Sequence, residues 1–252
     1  MPTICYVMVF ITGLAVGSFL NVCIYRIPRG QSVVTTPSHC FSCATNLKPW
    51  DLAPVFSFMW QRGRCRYCGV KLSRQYPLVE LLTGVLFVAA VYRWGLTWTA
   101  PAMMVFFSML IVTAVIDWRH QVIPDGALLA GGVLGLPLIY LQSLDKLKWG
   151  VAGFLAAGLL LYLIAVISKG GMGGGDIKLA AVMGLYLGLK PVAVALLLAF
   201  MLGGLIGLAL LVTGKKGRKD AVPFGPFLAL GALFASFAGE QIIAWYAGFR
   251  GL

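Results

Sequence analysis

Apolar residues run along this chain in blocks too long and too continuous for a water-facing fold. The blocks fall near residues 4–25, 77–95, 98–116, 126–142, 149–168, 177–189, 191–213 and 221–247, with polar gaps between them. A helix needs about 20 predominantly apolar residues to cross the hydrocarbon core. The pattern therefore predicts an all-α membrane protein with about eight transmembrane helices. The sixth block is the shortest: Gly184 and Gly188 weaken it and Pro191 ends it. One gap, 26–76, is long enough to be a small domain of its own. The expected organisation is a first transmembrane helix over 1–25, a polar domain over 26–76 and a core of about seven helices over 77–252.

Composition agrees with that reading. Hydrophobic residues make up 60% of the 252 positions and charged residues 11%, and the mean hydropathy is +0.90. These values exclude an ordinary soluble domain. A net charge of +12 could suggest nucleic acid. The basic residues, however, are spread through the gaps between apolar blocks, which points to membrane orientation and contact with anionic lipid headgroups. No nucleic-acid partner is expected.

The positions of those charges predict a topology. With the N-terminus outside, the inside gaps hold fifteen of the 20 Lys and Arg residues, eight of them in 26–76. Only Arg93, Lys146, Lys148, Lys190 and Arg250 fall outside. The positive-inside rule then favours eight spans with both termini outside and the polar domain in the cytosol. No basic residue precedes the first block, while Arg26 and Arg29 follow it. That is the wrong polarity for a cleaved signal peptide and suits an uncleaved first helix.

The chain has eight acidic residues, few enough to weigh one by one. Solvated surface roles suffice for Asp51, Asp145 and Asp220, and Glu240 lies near the outer end of the last span. Glu80 suits the positive end of a helix dipole at the start of the second span. Asp125 suits an N-cap before the fourth. Asp117 ends the third block, and Asp176 follows the run Gly170-Gly171-Met172-Gly173-Gly174-Gly175 before the sixth. An ionisable carboxyl at membrane depth is costly and marks a candidate functional site. The topology puts both of these acids on the cytoplasmic side, although it was derived without them. Structural alternatives stay open at this point: Asp176 as a helix cap, and Asp117 paired with Arg119 or Lys178. In the functional alternative the two carboxyls share one proton, because like charges so close cannot both ionise comfortably. The ionised acid then activates water against a peptide carbonyl, which the protonated acid polarises.

The polar domain contains a short internal repeat. Cys40-Phe41-Ser42-Cys43 runs on to Leu47, and Cys65-Arg66-Tyr67-Cys68 runs on to Leu72. Two CxxC pairs supply four thiolates, a tetrahedral zinc set with no open position, so the expected ion is a structural Zn2+. Two disulfides or a redox pair remain the competing reading, and His39 is a possible substitute ligand. Cys5 and Cys23 fall in the first apolar block and are expected to be buried.

Assembled in order, these motifs resemble the bifunctional type IV prepilin peptidases (prepilin leader peptidase/N-methyltransferases) along nearly the whole chain. The matching pieces are Gly17-Ser18-Phe19-Leu20-Asn21-Val22, Arg26-Ile27-Pro28, the paired CxxC motifs with Arg62-Gly63-Arg64, and Tyr76-Pro77-Leu78-Val79-Glu80. Ile116-Asp117, Ile123-Pro124-Asp125 and Gly173-Gly174-Gly175-Asp176-Ile177-Lys178-Leu179 complete the series. The last of these also resembles the GxGD signature of intramembrane aspartyl proteases. The resemblance implies an inner-membrane enzyme with Asp117 and Asp176 as its catalytic pair. It implies cleavage of the basic leader from prepilins and pseudopilins on the cytoplasmic side, then methylation of the new N-terminal amine with S-adenosylmethionine. No soluble-type methyltransferase fingerprint is present, so the cofactor site must be built from the polar domain and neighbouring helix ends, with Glu80 and Asn21 as candidates.

Two other functions fit some of the same features. One is an intramembrane aspartyl peptidase without methyltransferase activity. The other is a membrane transporter with a zinc-bound cytosolic domain, which predicts inverted hydropathy repeats; none is evident.

Overall fold

A computed structural model of the chain describes residues 3–214 and 222–249. The basic run Lys215, Lys216, Arg218 and Lys219, Asp220, and the first two and last three residues lie outside the described residues. The described fold is helical, with two isolated β-bridges in the polar segment. The helices are α1 (Thr3–Arg26), α2 (Phe56–Trp60), α3 (Gln75–Trp94), α4 (Thr99–His120), α5 (Asp125–Tyr140), α6 (Leu144–Ile167), α7 (Gly174–Leu187), α8 (Leu189–Val212) and α9 (Gly225–Phe249). All but α2 match one of the eight apolar blocks. Six of them, α1, α3, α4, α6, α8 and α9, are long and apolar enough to cross a membrane, and the chain is a membrane protein. The 16-residue α5 and 14-residue α7 are shorter.

The chain divides into two compact units, 1–96 and 97–252. In the first, α1 packs along α3, and the polar segment connects them. Arg26, at the end of α1, is 4% exposed. Its guanidinium donates to the carbonyls of Ser32, Thr36 and Pro37 at 3.1, 2.7 and 3.0 Å, so this cation organises the loop after the helix.

In the second unit α7 lies among α4, α5, α6, α8 and α9. Every residue from Leu179 to Tyr186 is buried. Tyr186 holds the helix in place from its middle: its hydroxyl donates to the Gly131 carbonyl at 2.6 Å, and its ring stacks on Phe106 with centroids 4.6 Å apart. The α6–α7 pair approaches backbone to backbone. A Cβ added at Gly184 would collide with the Gly153 carbonyl oxygen, and one at Gly153 with the Gly184 carbonyl oxygen. Close contact through small residues is the usual way helices associate in lipid, where the solvent supplies little hydrophobic drive.

Candidate active site and cysteine centre

Asp117 lies in the last turn of α4 and Asp176 in the first turn of α7. The chain reverses between α4 and α5 through Gln121, which takes the left-handed conformation (φ 54°), and Ile123-Pro124. Ile123 then packs on the glycine run beside Asp176: a Cβ at Gly175 would lie 2.8 Å from the Ile123 Cβ. Gly173 is the N-cap of α7, and a Cβ there would lie 3.1 Å from Asp176 Oδ2. Gly174 has open space where its Cβ would be.

The helices that carry the two carboxyls, α4 and α7, pack against each other, and the loop after α4 meets the residue before Asp176 through Ile123 and Gly175. Asp117 is 5% exposed, and its Oδ2 accepts a hydrogen bond from the Gly225 N–H at 2.8 Å. Among the described residues Asp117 forms an ion pair with neither Arg119 nor Lys178; its partner is the Gly225 N–H, and Lys178 pairs with another residue. Its ammonium lies 2.8 Å from both carboxylate oxygens of Asp125, joining the first turns of α5 and α7. Asp125 is itself the first residue of α5, after a Pro124 N-cap.

The first unit holds the four cysteines. Their sulfurs all lie within 4.8 Å of one another, and Cys40 Sγ and Cys68 Sγ are 3.8 Å apart. A tetrahedral ion with sulfur ligands at about 2.3 Å would space them by about 3.8 Å, so the group fits a metal ion. All six cysteines are free thiols, against the disulfide alternative. The sequence repeat is also a backbone repeat. In one knuckle the Cys40 N–H donates to Thr45 O at 3.0 Å and Ala44 N–H to Cys40 O at 2.8 Å. In the other the Cys65 N–H donates to Val70 O and the Gly69 N–H to Cys65 O, both at 2.9 Å. The residue after each second cysteine is left-handed, Ala44 at φ 54° and Gly69 at φ 71°, which turns each pair of thiols inward. The Thr45 hydroxyl beside Cys43 Sγ holds that thiol down at about 6. His39 points Nδ1 at the Pro37 carbonyl, 3.1 Å away, and is not part of the four-cysteine group.

Asp51, read from sequence as a solvated surface residue, is buried. Its side chain is 2% exposed and lies 3.4 Å from Arg66 Nε. Its carboxylate also accepts from Tyr67 Oη at 2.9 Å, Gln61 Nε2 at 3.2 Å and the Lys48 N–H at 3.2 Å, and it pushes the Tyr67 hydroxyl pKa up. Asp51 therefore binds the segment after the first knuckle to the loop of the second. Its place between two CxxC pairs, next to Trp50 in an otherwise acid-free domain, was the one available hint.

Asn21 and Glu80 lie in the same unit as the cysteines. Glu80 is 6% exposed, and its Oε2 accepts from the Val55 N–H at 2.7 Å while Ser18 bonds its carboxylate. It thereby fixes the start of α2, where Val55 takes a positive φ of 62°. Asn21 donates to Gly17 O and Tyr76 O at 3.3 and 3.1 Å and accepts from Gln75 Nε2 at 3.2 Å. Beside it, Gln75 Oε1 is buried without a hydrogen-bond partner among the described residues. Asn21 and Glu80 line one cleft with Cys40, Cys65, Asp51 and Arg66, partly open to solvent.

Each unit contains one family match. Residues 11–94 match the bacterial Peptidase A24 N-terminal domain, and residues 104–208 the type IV leader peptidase family. The chain is 38% identical over 243 residues to the prepilin leader peptidase/N-methyltransferase of Bacillus subtilis, covering 95% of this chain and 96% of the relative. Identity to the protein of that name from Xanthomonas campestris is 33%, over 95% and 93% of the two chains. For the Pseudomonas aeruginosa protein of that name it is 31%, over 95% and 92%. No solved structure matches the chain. A bundle of long apolar helices, a four-cysteine unit earlier in the chain, two family matches and relatives aligned over almost their whole length lead to one conclusion: the chain belongs to the prepilin leader peptidase/N-methyltransferase family.

Proposed function

We propose that this protein removes the basic leader from type IV prepilins and pseudopilins at the cytoplasmic face of the inner membrane and then N-methylates the new N-terminus. The observation that supports the cleavage half is that α4, with Asp117 in its last turn, and α7, with Asp176 in its first, pack together, with the loop after α4 against the glycine run beside Asp176. In the reaction one aspartate is ionised and takes a proton from water as the water oxygen bonds to the scissile carbonyl carbon. The other, protonated, gives its proton to the carbonyl oxygen. When the C–N bond breaks, the leaving amine takes the proton that came from water, and a hydroxyl of the tetrahedral intermediate returns a proton to the second aspartate as the carboxyl forms. The open side of Gly174 gives an extended peptide room to approach Asp176. In this reading both termini lie outside, and the cysteine unit lies in the cytosol, where its thiols stay reduced.

Cys40, Cys43, Cys65 and Cys68 would hold Zn2+, which supplies a structural crosslink for a segment too small to build a large core. S-adenosylmethionine supplies an electrophilic methyl group when bound. The cleft beside the cysteines suits such an amphipathic, charged molecule: Tyr25, Phe41 and Tyr67 offer flat apolar surface, and Asn21, Glu80 and Arg66 offer polar contacts. There Glu80 would hold positive charge or a hydroxyl, and Asn21 would orient a polar end.

The test is to replace Asp117 and Asp176 separately by Asn. Each variant should lose leader cleavage by at least about 100-fold while still transferring a labelled methyl group to a pre-cleaved pilin. Cleavage near the normal rate in either variant refutes that residue's role, and no methyl transfer by the unaltered enzyme refutes the second activity.

A further inference from the structure

One contact at the acid site joins residues 108 positions apart: the N–H of Gly225 donates to Asp117 Oδ2 at 2.8 Å in a buried setting. Gly225 is the first residue of α9, so its amide is one of those that no carbonyl of its own helix can satisfy. Asp117 uses that orphan donor. The contact also requires glycine. A Cβ at 225 would lie 2.7 Å from Asp117 Oδ2, closer than real contacts of that kind occur, and 3.1 Å from Cγ, tighter than most. Aromatic packing holds the start of α9 firmly. Phe224 packs on Phe200 of α8 and on Phe227, with centroids 5.2 and 6.3 Å apart, and Phe227 and Leu228 are 4% and 0% exposed.

We propose that Gly225 is a positioning residue for leader cleavage: its amide fixes Oδ2 of Asp117 and so orients the carboxyl toward water and Asp176. The start of α9 thus acts as a third wall of the site. This role rests on the assignment of Asp117 and Asp176 as the catalytic pair. The geometry explains how a carboxyl on the last turn of one helix keeps a single orientation without a charged partner. A bond from a packed helix end loses little orientational entropy, whereas a long cationic side chain would have to be immobilised first.

Gly225→Ala tests the role. It should lower kcat for prepilin cleavage by about 100-fold, the cost of misplacing a reacting group by about 1 Å, with KM and methyl transfer to a pre-cleaved pilin unchanged. Gly231→Ala is the structural comparison, because a Cβ there meets the Ala195 carbonyl oxygen of α8 instead of Asp117. It should lower the thermal unfolding temperature and leave kcat of the folded enzyme near normal. Normal kcat in Gly225→Ala, or an equal loss of kcat in both variants, overturns the proposal. A second measurement leaves Gly225 intact: Asp117→Ala should speed amide hydrogen exchange in the peptide containing Gly225, and unchanged exchange also overturns it. If Asp117→Asn still cleaves, the catalytic pair itself is wrong. If that variant is inactive while Gly225→Ala cleaves normally, only the positioning role fails.

Discussion

Burying a carboxylate without partners costs several kcal/mol, and Asp51 and Asp117 avoid that cost by different means. Asp117 borrows a backbone donor from a helix end. Asp51 collects side-chain and main-chain donors from Lys48, Gln61, Arg66 and Tyr67. Its composition-based reading as a surface charge failed because nothing in a linear sequence shows that donors 10 and 15 residues away fold back onto it. Asp51→Ala should leave those donors unpaired and destabilise the cysteine unit by about 1–3 kcal/mol. In titration with a chelator, zinc should leave this variant at a lower chelator concentration, and Cys40→Ser should bind little zinc at all. Unchanged metal retention in both would refute the structural crosslink. The cysteines were legible from spacing alone, since CxxC encodes its own turn and the repeat encodes the second ligand pair. Asn21 and Glu80 were legible only as candidates. Their bonds to Tyr76 and Val55 belong to the folded unit.

At the scale of elements, α7 departs most from a simple hydropathy reading. Fourteen residues span about 21 Å at a helical rise of about 1.5 Å per residue, less than the hydrocarbon core. The helix compensates by burial among five others, so it does not have to match lipid along its length. Gly184 and Gly188, which weaken the segment as an isolated span, have a use there. Gly184 lets α6 come to backbone contact, and Gly188 (φ 79°) ends the helix. Gly184→Val would force the two helices apart. We expect a loss of about 1–3 kcal/mol, the range for overpacking a close contact, seen as a lower unfolding temperature in detergent micelles. A variant as stable as the parent would show that the α6–α7 contact is not tight. The same packing leaves Asp176, in the first turn of α7, half-buried by protein.

For the whole molecule, the charge asymmetry makes an orientation prediction. A reporter enzyme that folds only outside the cytosol should be active when fused after α9, and inactive when inserted in the 169–173 or 214–220 gaps. The opposite pattern would reverse the topology and place the acid pair on the wrong side for a basic leader. The helical class, the eight apolar segments, the metal-binding spacing and the family resemblance were all available from sequence, because each depends on residues close together in the chain or on total composition. Only the tertiary structure decided that Asp117 answers to Gly225 rather than to a nearby cation, that Lys178 serves Asp125, and that Asp51 lies at the centre of the cysteine unit. Those outcomes depend on which helix ends meet and how closely their backbones approach. Contacts of that kind join residues up to 108 positions apart, and local pattern carries no record of them.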